Sequence, residues 1–222
     1  MSFVSESKQI AAFVLAGGQS SRMGRDKALA LFCGKPLLQN ALDILRSAGL
    51  PAKIAGSRSD LSGFAEVVPD SGPSSGPLSG IQAALSDSPA EWNLFLPVDM
   101  PLMSASMLIH LISRARVTAA PVTVTRLNGR MEPFPVVLHR STLPLISQRL
   151  ASGEAGCQAT WNAIPAALGA SLDSVHVEHL VQCGQCLHPA LLPPIWWFQS
   201  ANSPSELAVL NHICSKGTSK IA

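Results

Sequence analysis

Apolar positions along the chain recur in blocks whose period changes from one block to the next. Gln9-Ile10-Ala11-Ala12-Phe13-Val14-Leu15 is a continuous apolar run ending at Gly17-Gly18, which predicts a strand buried on both faces. Leu37, Leu38, Ala41, Leu42 and Leu45 then follow at helical spacing. Pro36 suits the first turn of that helix, and Gly49-Leu50-Pro51 ends it. Short strands are predicted over 52–55, 65–68 and 92–98, with a loop over 70–80 and a helix over 81–85 between the last two. Met107, Leu108, Leu111 and Ile112 predict another helix. Strands over 121–125 and 134–138 flank the turn signal Asn128-Gly129, and 143–150 is helical in pattern. From 156 to 194 periodicity is poor, apart from the alternation Val175-His176-Val177-Glu178-His179, which predicts a half-exposed strand. A late strand is predicted over 195–198, and Ser203-Pro204-Ser205-Glu206 marks a helix cap with proline at the first helical position. Strands alternating with helices imply an α/β fold, a mainly parallel sheet with helices on both faces. In such sheets ligands sit beyond the carboxyl ends of the strands.

Composition narrows the possibilities. The chain has 222 residues, 47% of them hydrophobic and only 14% charged, against about 25% charged in an average soluble domain. A globally disordered chain needs the opposite balance, low hydrophobicity with high net charge. Sixteen basic against 14 acidic residues leave a net charge of +2, without the excess that seeks nucleic-acid phosphates. No window approaches the roughly 18 apolar residues of a membrane-spanning helix. The pattern shows no internal repeat, and the length fits a single domain over 1–222. Five cysteines, at 33, 157, 183, 186 and 214, are too few for a dense disulfide framework. Lys8 ahead of the apolar run 10–16 resembles the start of a signal peptide, but the run is seven residues long and leads directly into the most chemically loaded segment. A cytoplasmic location is therefore expected.

That segment is Leu15-Ala16-Gly17-Gly18-Gln19-Ser20-Ser21-Arg22-Met23-Gly24-Arg25-Asp26-Lys27. Adjacent glycines let a backbone approach a ligand closely, and successive N–H groups can then form an anion nest. Arg22, Arg25 and Lys27 add cations, and two serines add hydroxyl donors, a set suited to a triphosphate. A Walker A loop is excluded because five residues separate Gly18 from Gly24 and Arg25-Asp26 follows. The Gly-x-Gly-x-x-Gly fingerprint is absent as well. A second cluster, Leu96-Pro97-Val98-Asp99-Met100-Pro101, places a carboxylate at the end of an apolar strand, where a hard cation such as Mg²⁺ can be held with water and substrate phosphate. Taken alone, Asp99 before Pro101 reads as an N-cap or turn residue; beside a phosphate-binding loop the metal role is the expectation. A third, Pro69-Asp70-Ser71 with Gly76-Pro77-Leu78-Ser79-Gly80, could lie along a base or ribose.

These three segments, in this order and spacing, resemble the molybdenum cofactor guanylyltransferases, the MobA-like nucleotidyltransferases. The family pattern Leu-Ala-Gly-Gly-x-Ser-x-Arg-Met-Gly-x-Asp-Lys is matched from Leu15 to Lys27, Gly-Pro-Leu-x-Gly at Gly76 to Gly80, and Asp-x-Pro at Asp99 to Pro101. Weaker echoes lie at Glu132-Pro133-Phe134 and at Asn202-Ser203-Pro204. The resemblance implies a Rossmann-like nucleotidyltransferase fold that transfers GMP from GTP to molybdopterin cofactor, releasing pyrophosphate with Mg²⁺. It implies that Leu15, Ala16, Gly17, Gly18, Asp70 and Gly80 contact the nucleotide. Lys27 would hold the triphosphate, Arg22 would neutralise the leaving pyrophosphate, and Asp99 would bind both metal and nucleotide. Asn202 would lie near the pterin phosphate or close the metal site. Residues 9–110 would form the nucleotide half and 111–222 the acceptor half. Transient contacts with proteins that deliver or accept the cofactor follow from the same resemblance.

Two positions depart from the family. Ala55 stands where members often carry asparagine, and Ser200 replaces the first of two asparagines spaced two apart. Different acceptors or nucleotides stay open on this reading, including cytidylyl transfer, although Gly17-Gly18 favours guanine over the Leu-Ala-Ala-Gly of cytidine-using relatives. A non-catalytic nucleotide- or cofactor-binding partner is the alternative from another class, and the intact Lys27 and Asp99 speak against it. Cys183, Cys186 and His188 offer three zinc-compatible ligands, one short of a structural site, and are expected to be buried or incidental. Trp196-Trp197-Phe198 and Met100, Met103 and Met107 are expected in the core.

Overall fold

The computed structural model of the chain describes residues 9–17, 26–70, 72 and 76–218. An interior strand of its sheet is β1 (Ile10–Leu15), the apolar run nearest the N-terminus. Successive side chains of a strand point to opposite faces, so Ala12 and Val14 enter one core while Phe13 and Leu15 enter the other. Both faces are therefore covered, which is why this strand shows no polar alternation. Phe13 stacks on Phe95 of the neighbouring strand with ring centroids 5.4 Å apart.

After a two-residue hairpin, β2 (Leu31–Phe32) with β3 (Lys35–Pro36), the chain enters α1 (Leu37–Ser47). Pro36 sits at the N-cap of α1 with ψ 141°, one position earlier than the first turn expected of it. Burial of Leu37, Leu38, Ala41, Leu42 and Leu45 fixes this helix on the sheet, each leucine contributing about 1.5–3 kcal/mol of transfer free energy. Strands β4 (Ala52–Ala55) and β5 (Val67–Val68) follow, then α2 (Pro77–Asp87), β6 (Trp92–Pro97) and α3 (Ala105–Thr118). A hairpin of β7 (Val122–Leu127) and β8 (Arg130–His139) turns at Asn128-Gly129, with φ of 50° and 74°, the left-handed pair that a tight hairpin needs. The rest comprises α4 (Leu143–Ala151), α5 (Cys157–Ala167), β9 (Asp173–His176), α6 (Val177–Gln182), α7 (Pro194–Trp197) and α8 (Pro204–Thr218).

One seven-stranded sheet, in the order β5-β4-β1-β6-β8-β7-β9, spans both halves of the chain. The β4–β5, β1–β4, β1–β6 and β7–β9 pairs are parallel, and only β8 runs against its neighbours. Buried residues of α1, α3 and α6–α8 join the core on one face, and those of α2, α4 and α5 join the core on the other. The expected α/β class and its two helical layers are thus present. The β1–α1–β4 connection moves to one side of β1, and the chain then returns to β6 on the other side. This reversal opens a crevice at the carboxyl ends of β1, β4 and β6.

Three local expectations are corrected. Helix α2 begins at Pro77, not Ile81, because Gly76 (φ 88°) turns the chain and Pro77 takes the first helical position. The run 195–198 is a helical turn rather than a strand, since Pro193-Pro194 starts it and a four-residue apolar run has no period of its own. The alternation at 175–179 is split: β9 stops at His176 and α6 begins at Val177. Trp197, Phe198, Met100, Met103 and Met107 are buried as expected, whereas Trp196 is only half-buried and packs against the edge of the core. Cys186 is buried, its thiol directed at the Ser106 carbonyl and pushed up in pKa by burial, whereas Cys183 is exposed. Cys33 and Cys214 are joined as a disulfide that ties the β2–β3 turn to α8. Among the described residues, no helix is long and apolar enough to cross a membrane.

Candidate active site

A cleft of about 300 Å³ lies over the crevice at the strand ends. Leu15, Ala55 and Pro97, the last residues of β1, β4 and β6, form its floor. Ala16 is buried behind it, its N–H donating to the Ala55 carbonyl at 3.1 Å, and the Val98 N–H donates to the Leu15 carbonyl at 3.1 Å. These bonds continue the sheet one residue past the strand ends and leave Gly17 at the cleft wall. The loop after β4 crosses immediately beside it. A Cβ on Gly56, where φ is 138°, would stand 2.7 Å from both the Cα and the N of Gly17. Only glycine permits that approach, and Gly56 is a site determinant that the motif comparison missed. The signal was a glycine directly after a short buried strand.

Lys27, Asp99 and Asn202 meet at the centre. The Lys27 ammonium donates to Asp99 Oδ2 at 2.5 Å and to Asn202 Oδ1 at 2.7 Å, joining residues 175 positions apart. The two charged side chains are only 20% and 15% exposed, so their attraction is less screened than on an open surface. Asp99 sits in the turn after β6. The segment carrying Asn202 is tied to that turn by the Ala201 N–H donating to the Asp99 carbonyl at 2.8 Å. Ser203 caps α8 as expected, accepting from the Glu206 N–H at 3.2 Å, while Glu206 Oε2 accepts from the Asn202 N–H at 2.8 Å. The base of the Lys27 turn is held from the other side. Asp26 accepts from the Ala28 N–H and pairs with Arg58, which also pairs with Asp60. Arg58 was absent from the sequence-derived set because no motif contains it.

Asp70 forms the wall near α2. Its Oδ1 is buried without a hydrogen-bond partner among the described residues, and burial raises the carboxyl pKa above its ordinary value. The Gly17 and Gly80 positions flank it, with a Cβ on either lying 4.0 and 3.5 Å from its oxygens. Across the cleft, β8 supplies Glu132, Pro133 and Phe134, and the C-terminal segment supplies Phe198 and Ser200. Trp161 of α5 braces this wall, its indole N–H donating to the Pro133 carbonyl at 3.0 Å and its ring meeting Phe134 edge-on at 6.4 Å. Burial also raises the Glu132 carboxyl, opposed by the Arg130 charge.

Leu15, Gly17, Lys27, Asp70, Gly80 and Asp99 therefore line one cleft, with Ala16 behind them and Asn202 bound to Lys27. Gly18 and Arg22 lie outside the described residues. The assembly offers a cation, three carboxylates and exposed loop backbone around a space of small-molecule size.

Comparison with known proteins agrees with this arrangement. Residues 12–167 match the family model described as the MobA-like NTP transferase domain. A probable molybdenum cofactor guanylyltransferase of Deinococcus radiodurans is 30% identical over 203 residues, 91% of this chain and 94% of that protein. A molybdenum cofactor guanylyltransferase of Xanthomonas euvesicatoria pv. vesicatoria is 46% identical over 101 residues, 45% of this chain and 52% of that protein. The crystal structure of molybdopterin-guanine dinucleotide biosynthesis protein A from Archaeoglobus fulgidus superposes with a TM-score of 0.74 at 20% identity, covering 93% of this chain and 99% of that one. With the fold, the three motifs and the family match in agreement, the chain belongs to the MobA-like NTP transferase domain family and is a nucleotidyltransferase.

Proposed function

We propose that the enzyme transfers GMP from GTP to molybdopterin cofactor and releases pyrophosphate. The observation that carries this reading is the Lys27–Asp99 pair inside a cleft bordered by Gly17 and Asp70, with Asn202 bound to Lys27. The relatives' names supply the acceptor and the nucleotide. An oxygen of the acceptor's terminal phosphate attacks the α-phosphorus of GTP, and the bond from that phosphorus to the β-phosphate oxygen breaks. The nucleophile is already anionic, so positioning and charge neutralisation matter more than a strong base. Lys27 neutralises the triphosphate, and Arg22 is assigned to the departing pyrophosphate. No covalent enzyme intermediate is needed.

Leu15, Ala16, Gly17 and Gly18 are assigned to nucleotide contact, and Gly80 lets the nucleotide approach α2. The unpartnered Asp70 oxygen is suited to accept from the guanine N–H groups. The donor set around Asp99 fits Mg²⁺, which takes one or two carboxylates and fills its shell with water and phosphate. Asp99, with the Asn202 amide oxygen beside it, would hold that ion. When bound, it would supply Lewis-acid stabilisation of charge on the phosphoryl oxygens. We assign the nucleotide to residues 9–110 and the acceptor to 111–222. Dependence on a nucleoside triphosphate is consistent with a cytoplasmic location, and transient contact with proteins that deliver or receive the cofactor follows from the same role.

The test is calorimetric titration with GTP, CTP and ATP, with and without Mg²⁺, followed by pyrophosphate release in the presence of acceptor. A Mg²⁺-sensitive GTP preference with acceptor-dependent release is the expected result. CTP preference would move the enzyme to cytidylyl transfer. Tight binding without pyrophosphate release would identify a binding partner instead of a catalyst.

A further inference from the structure

Two carboxylates line the cleft from opposite sides, and the proposed reaction assigns only one of them. Asp70 stands after β5 beside Gly17, whereas Glu132 stands on β8, beyond β6 in the sheet order. Strands β4 and β8 are separated by β1 and β6, three steps of about 4.8 Å each. The Lys27–Asp99 pair follows β1 and β6 and so falls between the two carboxylates. A dinucleotide under construction needs this layout, with a ring at each end and phosphates in the middle.

Glu132 is half-buried, its carboxylate makes no hydrogen bond or ion pair with any described residue, and it lines the cleft next to Phe134. Partial burial raises its carboxyl pKa, and a ligand bringing N–H groups into the cleft would favour the ionised form. Its placement is held from the C-terminal side: Trp161 donates to the adjoining Pro133 carbonyl and packs on Phe134, fixing the two residues that follow Glu132. Phe134 and Phe198 give this end of the cleft flat apolar surface suited to an aromatic ring.

Resting on the guanylyl-transfer reading above, we infer that Glu132 is the residue that reads the pterin ring of the acceptor. A pterin carries the same 2-amino-4-oxopyrimidine edge as guanine: a ring N–H beside an exocyclic amine, two donors side by side. A carboxylate accepts from both in parallel, the geometry it adopts with a guanidinium. Asp70 and Glu132 then read chemically matching edges at opposite ends of the cleft.

The experiment uses the full-length enzyme saturated with a non-hydrolysable GTP analogue. It compares 6-carboxypterin with 6-carboxylumazine, in which a carbonyl replaces the 2-amine, by fluorescence titration. Wild type is expected to favour the pterin by about tenfold or more, since a site built for a donor rejects an analogue that lacks it. Glu132→Gln, with one donor and one acceptor, is expected to lose or reverse that preference while GTP affinity stays within about twofold by calorimetry. A gain for the lumazine cannot arise from misfolding. A Glu132→Gln enzyme that keeps the pterin preference would overturn the inference and leave guanylyl transfer standing. A large loss of GTP affinity would also overturn it, by moving Glu132 to the nucleotide subsite. Absence of GTP binding and pterin binding in wild type would remove the underlying reading as well.

Discussion

The two walls of the cleft reach it by different chain paths. Residues before 103 arrive from the ends of parallel strands, and apart from Lys27 the groups follow their strands within a few positions: Gly17 after β1, Gly56 after β4, Asp70 after β5, Asp99 after β6. Residues after 130 arrive by an antiparallel hairpin and by a C-terminal segment that returns across the molecule to Lys27. The first arrangement ties chemistry to local sequence spacing. The second ties it to tertiary contacts such as Trp161 on Pro133 and Ala201 on Asp99. The contrast predicts that damage to the first wall removes the reaction, while damage to the second reduces it.

The largest effect is expected at the shared centre. Lys27→Ala or Asp99→Ala should lower turnover by about a thousandfold or more, the scale seen when one preorganised electrostatic partner is removed. Circular dichroism should remain that of the wild type, because both side chains stand on turns at the cleft rather than inside either core. Near-full activity in either variant would show that the first wall is not where the chemistry is done.

Gly56→Ala should come next, and it should act through structure. The new Cβ meets backbone at 2.7 Å, and φ 138° is strained for any L-residue, so a loss of about 2–3 kcal/mol in unfolding free energy is expected, together with weaker GTP binding. Thermal denaturation and calorimetry read the two consequences separately. An unperturbed melting temperature would mean that the β1 and β4 loops have room to separate.

The same contrast explains how much could be read from the sequence. Strand β1, helix α1, strands β4 and β6, and the cleft residues Lys27, Asp70 and Asp99 were legible because strand periodicity and adjacent loop chemistry lie on one stretch of chain. The start of α2 was not, since Gly76 and Pro77 read as loop residues until the burial of Leu78, Ile81 and Leu85 makes them a helix start. Helix α5 escaped because Pro165 lies inside its last turn, and α7 because four residues carry no period. Arg58 and Trp161 gained their places only through partners 28 or more residues away, and Glu132, named in a family echo without a role, gained its place in the cleft wall through the sheet. Asn202 was found through the family echo, and its bond to Lys27 lay beyond what spacing could give.

Asp70 sharpens the comparison by separating function from stability within the first wall. Burial lifts its folded pKa above the ordinary carboxylate value of 3.8. Its contribution to stability is therefore present below 3.8 and lost as pH rises through the folded value. At neutral pH the ionised carboxylate burdens the unliganded fold. Asp70→Asn should thus melt at an equal or higher temperature while binding GTP on the order of tenfold to a hundredfold more weakly. In wild type, GTP affinity should fall as acid protonates Asp70, starting at a higher pH than an exposed aspartate would allow, and the Asp70→Asn enzyme should lack that dependence.

The mildest of these effects belongs to the second wall. Asn202→Ala removes one bond to the Lys27 ammonium but leaves Asp99 in place and keeps the backbone tie from Ala201. A hydrogen bond to a charged group is worth about 1.5–3 kcal/mol, which sets the expected fall in kcat/KM at roughly tenfold to a hundredfold. The division of that loss tests what the second wall is for. If Asn202 only steadies Lys27 over the triphosphate, KM for GTP should rise and the acceptor's KM should stay constant. If it belongs to the acceptor side, the acceptor's KM should rise and GTP affinity by calorimetry should match wild type. A loss equal to that of Lys27→Ala would erase the distinction between the walls and make the C-terminal segment as essential as the strand ends it covers.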